Sequence, residues 1–353
     1  MIGENTSEVR YLALALQTTT RSVAPIAGPE NARTAISQNI ARIDSQLGPS
    51  VDLLTQTHGL DVRLVVLPEY SLTGAPPARE FAEWRRKAAL EIDGQEYRDL
   101  GAIASRYGIF LAGNAYEADG NFPDLYFQTS FVIAPSGEVV LRYRRLISLF
   151  SPSPYDVLDR YVALYGSDSL FPVLDSPIGR LSAIASEEIL YPEIARCHVM
   201  RGAEILLHST SEMGSPRSTA KDMAKRARAM ENLAYVVSAN ASAVTGTTLP
   251  AGSTTGMAKV VDYNGHVMAE AGPGGDSIAA HAAIDLPALH HRRNQAGLTN
   301  VLVRQPFQAF ADSYRTTLFH EARQLEQRGA NDVEILRATQ SLTIQRLADL
   351  GLI

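Results

Sequence analysis

From Tyr11 to Leu16 the chain is apolar without a break, and a threonine-rich loop follows, so the run predicts a first core strand. From Thr34 the spacing changes: Ile36, Ile40, Ile43 and Leu47 recur at helical intervals, predicting an amphipathic helix closed by Gly48 and Pro49. Val62 to Leu67 is again β-rich and, Arg63 apart, apolar, and it reads as a strand covered on both faces. Pro68 ends it and leaves Glu69 at its C-terminal mouth. The order then repeats, with helices over about Ala78–Ala89 and Tyr97–Tyr107 and a strand over Ile109–Ala112.

Turn residues break the alternation twice. "APSGE" separates Phe131-Val132-Ile133 from Val139-Val140-Leu141, and Asp262-Tyr263-Asn264-Gly265 sits between two further apolar runs. Both read as hairpins. Between them come a strand ending at Ala185, a helix opening near Pro192, the strand Ile205–Leu207, a long helix over Ala220–Leu233 and the strand Tyr235–Val237. Ile278–Ile284 reads as a last strand. Helices alternating with strands, interrupted by hairpins, predict an α/β fold with mixed sheets. Residues 9–295 form one unit in this reading. Residues 296–353 form a helical extension, with Ile335, Ala338, Leu342, Leu347 and Leu350 at helical spacing and no Gly/Ser-rich linker before them.

Composition narrows the class. Of 353 residues, 45% are apolar and 20% charged, the balance of a globular protein. A net charge of −6 with dispersed Lys and Arg gives no reason to expect nucleic acid or an anionic membrane as partner. A single cysteine excludes an intrachain disulfide, and the first residues lack a basic n-region, so a cytoplasmic location is expected. There is no phosphate-binding glycine loop, no dinucleotide fingerprint and no G-x-S-x-G. His290-His291-Arg292-Arg293 reads as a solvated basic turn, and Ser218-Thr219-Ala220-Lys221 as a helix start. No cofactor or metal is expected.

The chemistry-bearing residues cluster in four blocks: "LVVLPEYSLTG" (64–74), "GNAYEADG…SFVIAPSGEVVLRYRRL", "GRLSAIASEEILYPEIAR" and "RARAMENLAYVVSAN" (226–240). Their order and spacing resemble the nitrilase superfamily of carbon–nitrogen hydrolases over roughly residues 9–290. The resemblance implies a four-layer α-β-β-α sandwich that pairs sheet to sheet between subunits. It also implies a Glu–Lys–Cys triad that hydrolyses small amides or nitriles through a thioester, often with a second glutamate nearby. On that pattern the general base falls on Glu69 and the second glutamate on Glu117. The lysine position holds Arg145, and the cysteine position holds Ser186. Glu187, Tyr191 and His208 are the candidate substrate contacts.

Two of the three triad chemistries are therefore changed. A thiol titrates near ~8.5 and ionises readily, whereas a serine hydroxyl must lose its proton as it attacks. Arg145 keeps the positive charge but cannot shuttle a proton. His208, ending the strand "EILLH", is the best-placed histidine to assist a serine. Cys197, eleven residues past Ser186, falls within the helix and reads as a buried structural cysteine. Two functions follow: a divergent amidase-type hydrolase using Glu69, Arg145 and Ser186, or a catalytically silent relative that binds a small ligand or serves as a structural subunit. The apolar stripes of the C-terminal helices predict that they wrap a neighbouring subunit in a homodimer or larger even oligomer.

Overall fold

In the computed structural model, strand β1 (Arg10–Ala15) sends alternate side chains into two different cores. The structure describes residues 9–76, 81–214, 219–315, 319, 321–325 and 333–353. Leu12, Leu14 and Leu16 face one apolar cluster, Tyr11, Ala13 and Ala15 the other. This two-sided burial is why the run is apolar at every position.

The remaining elements follow in order. β2 (Thr20–Arg21) precedes the long helix α1 (Pro29–His58). Next come β3 (Val62–Val66), α2 (Phe81–Ala88), β4 (Leu90–Glu91) and α3 (Gln95–Tyr107). The strands β5 (Phe110–Ala118), β6 (Tyr126–Ile133) and β7 (Val139–Arg144) are consecutive and antiparallel. After α4 (Leu158–Tyr165) come β8 (Leu181–Ala185), α5 (Pro192–Met200), β9 (Ile205–Thr210), α6 (Ala220–Asn232) and β10 (Tyr235–Asn240). The short β11 (Val244–Thr245) pairs with β2. β12 (Lys259–Val261), β13 (Val267–Glu270) and β14 (His281–Asp285) complete the sheets. The helices α7 (Leu286–Asn294), α8 (Phe307–Tyr314) and α9 (Val333–Asp349) end the chain.

One sheet runs β14-β1-β3-β5-β6-β7, with β4 on β5, and the other β13-β12-β10-β9-β8. Both mix parallel and antiparallel pairs, as the alternation predicts. α1 to α3 cover the first sheet, α5 and α6 belong to the core of the second, and the cluster between the sheets joins Ala13, Leu64 and Val66 to Ala183, Leu207 and Val237. The result is the expected four-layer sandwich.

Several sequence boundaries move. α1 continues through Gly48 and Pro49 to His58, ending on Gly59 in the left-handed conformation. Pro49 removes one helix hydrogen bond, but Leu47, Val51 and Leu54 remain buried on the core face and outweigh that local loss. Ala78 and Ser218 lie outside the described residues. The basic stretch 290–293 is not a solvated turn: it lies in α7, where His290 Nε2 meets Glu204 Oε1 at 2.7 Å and Arg293 donates to the Leu233 and Ala203 carbonyls. Cys197 lies in α5 but is half-buried, not enclosed.

In the tail, Leu325 and Leu336 are buried in the first core cluster, and the Tyr314 hydroxyl donates to Glu193 Oε1 at 2.9 Å. The extension thus packs on its own domain. Among the described residues no helix is long and apolar enough to cross a bilayer.

Candidate active site

The two sheets are stitched at the C-terminal ends of their central strands. Ser209 Oγ donates to the Leu67 carbonyl at 2.8 Å, and the Glu69 N–H donates to the Thr210 carbonyl at 3.3 Å. β3, β7, β8 and β9 deliver Glu69, Arg145, Ser186 and Thr210, respectively, just at or beyond their last residues. Strand ends of an α/β sheet are where loops are free to carry polar groups while the strands stay packed.

Glu69 is almost fully buried. Its Oε1 accepts from Gln128 Nε2 at 2.7 Å and its Oε2 from Ser211 Oγ at 2.9 Å. Arg145 Nη1 stands 3.6 Å from Oε1. The same guanidinium donates to the Ile147 carbonyl (2.6 Å) and to Gln128 Oε1 (2.8 Å), and pairs with Glu187. Burial works against a charge on Arg145, yet Glu187 and Glu69 more than offset it and hold the guanidinium above its ordinary value. Gln128 is the linchpin: its amide N–H serves Glu69 and its carbonyl serves Arg145. It was not among the sequence candidates, although the polar run Gln128-Thr129-Ser130 inside the otherwise apolar "YFQTSFVI" is the kind of intrusion that signals a site.

Ser186 opens a short 3-10 turn (Ser186–Leu190) directly after β8 and has φ +47°. A left-handed backbone at a non-glycine residue is uncommon and concentrates at functional turns. Glu188 secures this elbow. It is fully buried and accepts from the Tyr143 hydroxyl (2.9 Å) and from the backbone N–H groups of Leu146 (2.8 Å), Ile147 (3.1 Å) and Ala185 (3.3 Å). Burial, set against the Arg145 charge and these donors, raises its carboxyl to about 7. The segment after Arg145 is therefore tied to the turn after Ser186.

The serine hydroxyl has a partner absent from the sequence candidates. Lys221 Nζ lies 3.0 Å from Ser186 Oγ and 3.3 Å from Thr210 Oγ1. Lys221 is the second residue of α6, whose start is capped by Thr219 Oγ1 accepting from the Asp222 N–H at 3.0 Å. The helix-start reading of this stretch holds, but the same geometry aims the lysine at a serine 35 residues upstream. Within Ser218-Thr219-Ala220-Lys221, a serine three residues before a lysine was the sequence signal available.

Other candidates go elsewhere. Glu117 does not join the site. On β5 it stands three residues from Asn114, which bonds Gln128 at 2.9 Å, and an odd separation on a strand puts the two on opposite faces. Glu117 instead binds Arg142 (2.9 Å), Arg144 (3.1 Å) and the Tyr97 hydroxyl (3.0 Å). Arg144 also reaches Asp119 at 2.6 Å beneath the rings of Phe127, Tyr161 and Tyr165. This is a structural ion network.

His208 is fully buried and contacts the main chain of Ser186, not its hydroxyl. A carbonyl can only accept, so Nε2–H donates to the Ser186 carbonyl (2.8 Å) and Nδ1 accepts from Ser238 Oγ (2.8 Å). Burial, then the charges of Lys225 and Lys221, keep it well below the ordinary histidine range, so it stays neutral. It braces the elbow, buried and with both ring nitrogens engaged. Glu187 remains at the site on Arg145, and Tyr191 is 40% exposed at the end of the same turn. Among the described residues no three His, Cys, Asp or Glu side chains are grouped to hold a metal.

Residues 32–293 match the family model for carbon-nitrogen hydrolases, and the chain belongs to that family. It is 27% identical over 183 residues to a formamidase of Helicobacter acinonychis (51% of this chain, 50% of that protein). It is 29% identical over 215 residues to a formamidase of Bacillus thuringiensis, covering 58% of each. The chain thus spans only about half the length of the curated relatives it matches. Among solved structures, a carbon-nitrogen hydrolase from Helicobacter pylori superposes with TM-score 0.65 (19% identity, 87% of this chain, 99% of that one). Nit3 of Saccharomyces cerevisiae, a nitrilase-superfamily member, superposes with TM-score 0.63 (19% identity, 84% and 98%). These two likenesses concern the fold.

Proposed function

We propose that this chain is an amidase-type hydrolase that cleaves a small amide with Ser186 as nucleophile. The observation that carries the reading is the elbow: a serine at φ +47° directly after a buried strand, with a cation hydrogen-bonded to its hydroxyl. Such a turn lifts the side chain out of the sheet toward a substrate. The first N–H groups of the turn have no acceptor within it, so the Glu187 N–H supplies an oxyanion donor. Arg145 gives the pocket positive charge, and Glu69 with Gln128 holds Arg145 in place. Formamidases and a probable nitrilase stand side by side among the relatives, which supports carbon–nitrogen chemistry; the formamidases are the reason to try small amides first.

A silent, ligand-binding relative is the second reading. One observation favours it: Arg145 already spends its donors on Ile147, Gln128 and Glu187. A screen of short amides, carbamoyl compounds and nitriles decides between them. Turnover by wild type that disappears in Ser186→Ala, with an ester-linked adduct on Ser186 by mass spectrometry, supports hydrolysis. Binding without turnover, surviving Ser186→Ala, supports the silent reading.

A further inference from the structure

We infer that Lys221 is the catalytic base for Ser186, so that the site works through a serine–lysine dyad, its lysine supplied by α6 instead of by the strand end that carries Arg145. The inference rests on the hydrolase reading above. A serine nucleophile needs a proton acceptor within hydrogen-bond reach, and geometry decides first. Lys221 Nζ meets that condition at 3.0 Å. His208 fails it because Nε2 is spent on the Ser186 carbonyl and Nδ1 on Ser238. Arg145 fails because a guanidinium does not give up its proton. Glu69 has its hydrogen bonds to Gln128 and Ser211, and Arg145 beside Oε1.

The surroundings of the amine fit the role. Its two partners are hydroxyls, Ser186 Oγ and Thr210 Oγ1, and among the described residues no carboxylate lies within ion-pair distance. The neighbouring lysines are used differently: Lys225 is buried against Glu212, and Lys259 against Asp222 and Glu270. An amine hydrogen-bonded only to hydroxyls can act as an acceptor once deprotonated; a lysine locked to a carboxylate cannot.

The proton ledger closes without a further reactant. As Ser186 Oγ bonds to the amide carbon, its proton passes to the neutral Lys221 Nζ and the carbonyl π pair moves to oxygen. Collapse of the oxyanion breaks the C–N bond, and the leaving amine takes that proton. Water then attacks the ester and gives a proton to Nζ. The C–Oγ bond breaks, Oγ recovers the proton, and a carboxylic acid leaves.

An aryl fluorophosphonate tests this without a known substrate, because Ser186 displaces fluoride from phosphorus and the adduct is read by intact mass. Wild type is expected to label on Ser186 at a rate that rises toward alkaline pH. Lys221→Met and Lys221→Arg are expected to label at least about 100-fold more slowly with a flat profile, since Arg keeps the charge but cannot accept a proton. Thermal melts of both variants report folding, and the wild-type pH profile needs no variant. Unimpaired labelling of either variant, or a flat wild-type profile, would overturn the dyad while leaving Ser186 as nucleophile. Absence of wild-type labelling together with absence of amide turnover would overturn the hydrolase reading itself.

Discussion

The two halves of the site are built on opposite principles. In the half supplied by the first sheet, Glu69, Gln128 and Arg145 meet Glu187 in a net where every side-chain nitrogen has an acceptor. In the half supplied by the second, the Lys221 amine stands beside Ser186 Oγ, and among the described residues its partners are hydroxyls only. A saturated ion net holds geometry: breaking one member leaves a buried charge uncompensated. A sparse one leaves a proton free to move. The comparison separates what fixes the pocket from what acts in it.

The largest effect is expected in the sparse half. Ser186→Ala should lower turnover by at least about 10³-fold while its urea midpoint stays close to that of wild type. A large loss of stability there would erase the distinction. In the saturated half the balance reverses. Arg145→Met should cost about 3–5 kcal/mol in urea denaturation by stranding Glu69 and Glu187 without their cation. A cost below about 1 kcal/mol would mean that the net is ornamental.

Glu188 joins the halves, and its removal is next in size. Glu188→Ala leaves the N–H groups of Ala185, Leu146 and Ile147 and the Tyr143 hydroxyl without an acceptor, for about 3 kcal/mol. Glu188 also sets a pH dependence. Its folded value, about 7, lies above the ordinary 4.5, so between those limits the folded chain keeps a proton that the unfolded chain has lost. The associated stability is complete below the ordinary value and drains away as pH rises to about 7, by about 3 kcal/mol in all. Denaturation series from pH 4 to 8 should show that slope, and Glu188→Gln should flatten it. Cys197→Ser, far from both halves, should change stability by less than about 0.5 kcal/mol and leave turnover alone.

The architecture was legible because β1 from Tyr11 onward, and β3 apart from Arg63, are apolar on both faces, a pattern that two-sided burial explains. Glu69, Arg145 and Ser186 were legible as blocks, and the structure gathers them at neighbouring strand ends. What stayed hidden depended on tertiary placement. Pro49 looked like a stop because the local rule was read without the core that carries the helix past it. Glu117 was misplaced although strand alternation against Asn114 already sends it to the other face. Lys221 could not be paired with Ser186 because nothing in the spacing says which end of α6 will meet the elbow.

Arg144 and Arg145 follow one another in the chain, yet one braces an aromatic-roofed ion cluster and the other joins Glu69, Gln128 and Glu187 at the candidate site. What tells them apart is bookkeeping by twos along β7, counted from the turn at Ser136 and Gly137 and corrected by the irregularity at Val132/Ile133. A slip of one residue in this hairpin would exchange the two arginines and yet leave charge, composition and strand number untouched. Gly137, at φ +89° and packed against Gly101, resists that slip, because a residue moved into its place would have to adopt that left-handed backbone and bring a Cβ to 3.3 Å from the Gly101 carbonyl. The register that sets which arginine enters the candidate site is thus held at the opposite end of the strand, by two glycines outside it.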